Sequence, residues 1–156
     1  MGTVGMHLLV IAATVLTVVV VVLVHFEGIV ALGRFYENHR TRTARPAVGR
    51  RMMLVLMLGL VVLHMVEILI FGSAYWLLLQ LPATGSLAGV ESASVFDALY
   101  LSAMTYSTVG FGDVAPDGPI RWLAAGEALV GLMMVAWSAT FAFIEMSRHW
   151  DMGRQR

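Results

Sequence analysis

The chain has 156 residues, of which 59% are hydrophobic and 13% are charged, and its formal net charge is zero. This composition excludes an ordinary water-soluble domain and indicates an integral membrane protein. Cysteine is absent, which excludes disulfide bonds and thiolate metal sites.

The first apolar run covers residues 6–31, and in its core, residues 8–24, Thr14 and Thr17 are the polar residues. A helix needs about 20 residues to cross the hydrocarbon core of a bilayer, so this run is long enough. A signal peptide is the alternative, but no positive segment precedes the run and no small-residue cleavage site follows it. We therefore expect a transmembrane helix, and because it lacks a ladder of arginines it is not a voltage sensor.

Two further apolar runs cover residues 52–81 and 119–146. All ten basic residues are arginines, and six of them lie between the first two runs: Arg34, Arg40, Arg42, Arg45, Arg50 and Arg51. The positive-inside rule places this linker and the C-terminal tail in the cytoplasm, and the N-terminus outside. We interpret the arginine cluster as a determinant of topology. The alternative is a binding patch for anionic lipid headgroups.

A short helix is predicted between the second and third runs, over residues 94–106, because Ser94 and Asp97 have the spacing of a capping box. It is followed by Thr108-Val109-Gly110-Phe111-Gly112-Asp113. Carbonyl groups alternate sides along an ordinary strand, but glycines at positive φ re-aim them. We therefore expect a row of carbonyls on one side, which is the arrangement that replaces the water shell of a cation.

This segment, in this setting, resembles the selectivity filter of the potassium channel superfamily. The resemblance covers residues 52–146 and implies an all-α membrane protein: three transmembrane helices, a re-entrant pore helix and a filter. One filter per chain implies a homotetramer with the pore on its axis. The resemblance also implies K+ ions bound by the filter residues Thr108, Val109, Gly110, Phe111 and Gly112, with the Thr108 hydroxyl forming the innermost ring.

We expect the following division of the chain: an additional transmembrane helix (1–32), a basic cytoplasmic linker (33–51), a pore domain (52–147) that contains an outer helix (52–81), a pore helix (94–106), the filter (108–113) and an inner helix (119–146), and a short cytoplasmic tail (148–156). The first helix has no counterpart in the minimal two-helix channels of the superfamily.

Two positions depart from the superfamily pattern. Met104 replaces an acid that often braces the filter from behind, and Phe111 replaces a tyrosine. The resemblance implies that Tyr100 hydrogen-bonds Asp113 beside the filter. We expect Glu127, on the inner helix, to support the filter in place of the acid that is missing at position 104.

Buried ionisable groups are costly in a bilayer, so they should face protein or water. We expect His64, Glu67 and Glu127 to form one buried polar cluster, either as a structural hydrogen-bond group or as a proton sensor. His64 and Glu67 alone are a weak signal for a metal site. Gly131 is a candidate gating hinge, and close helix packing is its alternative.

Four other ionisable residues lie near the inner ends of the first and third runs, where we expect interfacial salt bridges with arginines: His25, Glu27, Glu145 and His149. The sequence thus predicts a potassium-selective channel of a prokaryotic plasma membrane, without enzymatic activity, organic cofactor or nucleic-acid partner. A weakly selective cation channel and a non-conducting accessory membrane protein are the alternatives.

Overall fold

The computed structural model describes the backbone of residues 3–42 and 46–154, and the side chains of residues 4–38 and 51–148. The elements in chain order are α1 (Thr3–Arg42), α2 (Pro46–Leu79), β1 (Ser86–Ala88), α3 (Val95–Tyr106), β2 (Ala115–Asp117), a 3-10 turn (Gly118–Ile120) and α4 (Arg121–Arg154). Candidate membrane spans cover Val4–Asn38, Arg51–Leu79 and Gly118–Arg148. The protein is therefore a mostly helical, multi-pass membrane protein, as the sequence predicts.

The long helices continue beyond the apolar runs. At about 1.5 Å per residue, the 40 residues of α1 extend about 60 Å, well beyond a hydrocarbon core of about 30 Å. Much of the linker predicted over residues 33–51 is therefore helical, and α2 begins at Pro46, whose fixed φ suits a first helical position. The side chains of Arg40, Arg42, Arg45 and Arg50, on which the lipid patch largely depends, lie outside the described residues.

The short helix α3 packs against α2 and α4, and α1 packs against the same two helices. Phe71 and Tyr75 of α2, Leu101 of α3 and Leu123 of α4 are buried in one core, and Val21 of α1 belongs to it. The first helix is therefore packed as an integral part of the fold. Its opposite side exposes large apolar residues, as expected of a surface in contact with lipid.

A two-stranded antiparallel ladder joins the segment before α3 to the segment after it. Its register pairs Ser86 with Asp117 and Ala88 with Ala115. This pairing was not predicted from the sequence. Next to the ladder, Gly89 has a φ of +93°, and a Cβ there would lie 1.8 Å from the carbonyl oxygen of Asp113. The ladder therefore holds the end of the predicted filter, at Asp113, against residues 86–89.

Candidate functional site

The backbone between α3 and β2 alternates in handedness. Thr108, Gly110 and Gly112 have φ values of +59°, +51° and +79°, and Val109 and Phe111 lie between them. A residue in the left-handed region re-aims its peptide group, so alternation can bring successive carbonyls to one side. The two glycines adopt the positive φ predicted from the sequence. Thr108 was not anticipated, because a β-branched residue rarely takes this conformation. Strain of this kind costs about 1–3 kcal/mol and is typical of functional sites.

The same segment is exposed in the single chain. Residues 107–113 are all exposed, and the side chains of Val109 and Phe111 retain 54% and 71% of their accessible surface. Within one chain, these two side chains are therefore only partly covered by protein. Irregular backbone is tolerated at membrane depth only where protein or a water-filled cavity encloses it. The segment is thus placed to line a space shared with other molecules.

Backbone hydrogen bonds tie the segment to the end of α3. The amide of Gly110 donates to the carbonyl of Met104 at 3.2 Å, and the amide of Thr108 donates to the carbonyl of Thr105 at 3.0 Å. Met104 therefore contributes its carbonyl group where the superfamily pattern has an acidic side chain. At this position, a backbone hydrogen bond connects the segment to α3.

The outer end of the segment is held by a side chain. The Tyr100 hydroxyl donates to both carboxylate oxygens of Asp113, at 3.1 and 2.9 Å. This confirms the hydrogen bond predicted from the sequence. Acceptance by Asp113 stabilises the phenol and raises the pKa of Tyr100.

The N-terminus of α3 carries the predicted capping box. The Ser94 side chain accepts from the amide of Asp97 at 3.2 Å, and Asp97 Oδ2 accepts from the Ser94 amide at 2.9 Å. The Ser94 hydroxyl also donates to Asp97 Oδ2, at 2.6 Å, and these bonds lower the pKa of Asp97. The box fixes where α3 starts, and hence where its C-terminus meets the filter segment.

Glu127 of α4 is fully buried between α2 and α3. Tyr75 donates to its Oε2 at 2.8 Å, and the Ser102 hydroxyl lies 2.5 Å from its Oε1. That hydroxyl also lies 2.9 Å from the carbonyl of Ile68, so one proton faces two acceptors. A protonated carboxyl satisfies the whole chain: Glu127 donates to Ser102, which donates to Ile68. This arrangement leaves no unpaired charge in the bilayer.

Glu67 is fully buried in a second group, with different partners. His25 Nδ1 lies 2.7 Å from its Oε1, His64 Nδ1 lies 3.2 Å from its Oε2, and the Tyr106 hydroxyl donates to Oε2. His25, His64 and Glu67 each offer one possible metal-ligand atom, and these three atoms lie within 4.8 Å of one another.

The prediction of a single cluster of His64, Glu67 and Glu127 is therefore wrong. Ser102 and Tyr106, which contact the two carboxyl groups, are four residues apart on α3. That spacing separates the two groups by about 6 Å along the helix.

The prediction for His25 was wrong. We expected it in an interfacial salt bridge, but it is fully buried against Glu67. Glu145 does pair with an arginine, Arg148, at 2.9 Å, as predicted. Glu27 is exposed, and the side chain of His149 lies outside the described residues.

Gly131 lies where α4 passes directly under the end of α3. A Cβ at this position would come within 2.3 Å of the carbonyl oxygen of Tyr106 and 3.0 Å of its carbonyl carbon. These are backbone atoms, which cannot move aside as the end of a side chain can. The geometry supports close packing as a reason for the glycine, and the hinge remains a prediction.

Comparisons with known proteins agree with this geometry. A model of the ion channel family Ion_trans_2 matches residues 53–148. Protein LctB of Geobacillus stearothermophilus is 43% identical over 67 residues, which are 43% of this chain and 50% of that protein. Protein LctB of Bacillus caldotenax is 35% identical over 117 residues, which are 71% of this chain and 87% of that protein. No solved structure matches the chain.

Proposed function

We propose that this chain, which belongs to the ion channel family Ion_trans_2, conducts potassium ions passively and selectively through a homotetrameric pore. The family is one of channels rather than enzymes, and its members assemble as oligomers. The observation that carries the proposal is the alternating positive φ at Thr108, Gly110 and Gly112.

Potassium selectivity follows from what such a backbone can coordinate. A K+ ion that leaves water needs several oxygen atoms to replace its hydration shell, and rings of backbone carbonyls supply them. The carbonyls of Thr108, Val109, Gly110 and Phe111 are the proposed binding sites, with Gly112 completing the filter. The Thr108 hydroxyl is proposed to add the innermost ring.

A tetramer explains the exposure of the filter segment. One chain offers one row of carbonyls, whereas K+ coordination in channels uses four such loops around an axis. Cyclic symmetry around that axis would enclose the backbone of residues 107–113, which a single chain leaves exposed. The exposed side chains of Val109 and Phe111 would then contact neighbouring chains.

Supporting contacts surround the proposed filter. We propose that Glu127 braces it from behind: it holds Ser102 of α3 and Tyr75 of α2 where the superfamily pattern would use an acid at Met104. Tyr100 holds the outer end through Asp113. Both contacts act on α3 or on the segment that follows it, and they limit how far the carbonyls can move.

We propose residues 52–147 as the pore domain and residues 1–32 as an added helix that packs onto it. The arginine distribution supports a cytoplasmic linker and tail and an outward-facing filter in a prokaryotic plasma membrane. Arg34 and Arg51, the linker arginines with described side chains, are both exposed. This supports, as a further proposal, contact between the linker and anionic lipid headgroups.

The proposal is tested by ion flux into liposomes that contain the purified chain. We expect K+ efflux that collapses a K+ gradient in wild type and is lost in Gly110→Ala, because alanine cannot easily hold a φ of +51°. Gly33→Ala is the matched control, since a Cβ there meets Phe141 at an ordinary 3.6 Å. Flux in neither wild type nor control would favour a non-conducting accessory protein.

A weakly selective cation channel is the second candidate, and Phe111 is the observation that favours it. Its ring lacks the hydroxyl of the usual tyrosine and is 71% exposed in the single chain. A filter with fewer hydrogen bonds behind it could adapt to a smaller ion. Comparison of K+ and Na+ permeability separates the two candidates.

A further inference from the structure

A group of metal-ligand side chains lies under the end of α3, outside the proposed filter. His25 comes from α1, and His64 and Glu67 come from α2; their ligand atoms all lie within 4.8 Å of one another. The Tyr106 hydroxyl of α3 lies 2.9 Å from His64 Nδ1 and contacts Glu67 as well. We propose that these four side chains bind one divalent transition-metal ion of the zinc class per chain.

The donor set fits that class of ion. Neutral imidazole nitrogens with a carboxylate oxygen are ligands that Zn2+ prefers, and four donors complete a tetrahedron. With bonds of about 2.0 Å, the donors of a tetrahedral site lie about 3.3 Å apart. His25 Nδ1 lies 2.7 Å from Glu67 Oε1 and His64 Nδ1 lies 3.2 Å from Glu67 Oε2, and one donor atom from each residue falls within 4.8 Å of the others. Side-chain adjustments can therefore bring the donors to tetrahedral spacing.

The second ring nitrogen of His25 gives an independent indication. Within the described residues, the buried Nε2 of His25 has no hydrogen-bond partner, and the nearby Trp137 ring lies 5.2 Å away between centroids. If Nε2 carries the hydrogen, the indole face is a weak acceptor for it. The Nδ1 lone pair then faces a carboxylate oxygen at 2.7 Å, and either a shared proton or a metal ion satisfies such a contact. Four converging donors favour a metal ion over a proton.

Charge balance points the same way. Glu67 is fully buried, and its ion-pair partners among the described residues are the two histidines. A carboxylate in a bilayer interior needs a compensating cation, and a divalent ion supplies it. If the Tyr106 phenol gives up its proton to solvent when the ion binds, the two negative oxygens of Glu67 and Tyr106 balance the two charges of the ion. His64 retains 17% side-chain exposure, which gives the ion a route to the site.

The location gives the site a consequence for the pore. Tyr106 lies two residues before Thr108, and its carbonyl packs on Gly131 of α4. A bound ion would therefore connect α1 and α2 to the end of α3 at the entrance of the filter. The added N-terminal helix would contribute a ligand that the other helices cannot replace.

Metal content of the full chain tests the proposal. The protein is purified in detergent with a tag that lacks histidine, stripped with a chelator, incubated with Zn2+ and separated from free metal by gel filtration. We expect about one Zn2+ per chain by elemental analysis, and Co2+ in its place should give the visible absorption of a tetrahedral site. His25→Gln and His64→Gln should each weaken binding at least about tenfold.

His7→Gln is the matched control, because His7 lies on the same helix as His25 but is exposed; it should bind as wild type does. If the site variants do not assemble, the wild-type stoichiometry and the Co2+ spectrum still decide. Wild-type protein that retains no metal, or equal retention in His25→Gln and His64→Gln, would overturn the proposal. K+ flux is measured separately, so that result would leave the channel proposal intact.

Discussion

The hydroxyl of Tyr100 donates to the carboxylate of Asp113 across the outer end of the filter segment, at 3.1 Å from Oδ1 and 2.9 Å from Oδ2. In the middle of the segment, the amide of Gly110 donates to the carbonyl of Met104 at 3.2 Å. Both bonds run from the segment to α3. The segment that we propose as the filter is therefore held at two points by the helix that precedes it.

Tyr100→Phe removes the outer bond and leaves the ring in place. We expect the filter to lose its conducting shape sooner, so that macroscopic current in planar bilayers decays faster during sustained opening. Gly33→Ala is the control, because a Cβ there meets Phe141 at an ordinary 3.6 Å. If both variants decay as wild type does, the Tyr100–Asp113 bond has no part in keeping the filter open.

Replacements of Glu127 test whether its hydrogen bonds support the fold and the pore. Glutamine can donate to Ser102 and accept from Tyr75 as a protonated glutamate does, so Glu127→Gln should retain the fold and an active pore. Glu127→Leu leaves a buried hydroxyl without its partner, which costs about 1–3 kcal/mol per group. We expect lower thermal stability of the oligomer and lower open probability for leucine only. Equal behaviour of the two variants would show that these hydrogen bonds do not support the filter.

Gly131→Ala introduces a methyl group 2.3 Å from the carbonyl oxygen of Tyr106. Because the neighbouring atoms belong to the backbone, α3 and α4 must separate, and we expect reduced oligomer stability and reduced K+ flux. Gly33→Ala should leave both unchanged. A hinge without close packing predicts altered gating with normal stability, and this outcome would contradict the packing interpretation.

Asp97 links the stability of α3 to pH. Its hydrogen bonds to Ser94 lower its pKa below the ordinary value of 3.8. The carboxylate therefore stabilises the fold above about pH 4, and this contribution disappears as the pH falls through the lowered pKa. We expect Asp97→Ala to lower the melting temperature of the oligomer at pH 7, and the difference from wild type to shrink near pH 3. A difference independent of pH would show that the ionised cap does not contribute.

Local patterns explain what the sequence could predict. The apolar runs predict the membrane spans, and Ser94 and Asp97 predict the start of α3. Gly110 and Gly112 adopt positive φ because few other residues can. Each of these signals acts within a few residues, so it can be read without knowledge of the tertiary structure.

The rest depends on contacts between distant residues. His25 lies 42 positions before Glu67, in a valine-rich run with no periodic pattern to show which side is buried. The same limitation hid the ladder between Ser86–Ala88 and Ala115–Asp117. The positive φ of Thr108 was missed for another reason: the surrounding structure imposes it against the preference of a β-branched residue.

The reversal potential under bi-ionic conditions tests the central claim most directly. Purified protein in a planar bilayer would face K+ on one side and Na+ on the other, at equal concentration. We predict a reversal potential displaced by more than about 59 mV in the direction of K+ selectivity, since about 59 mV corresponds to a tenfold preference for a monovalent ion. A reversal potential near zero, with clear current in both directions, would contradict potassium selectivity and leave a non-selective cation channel.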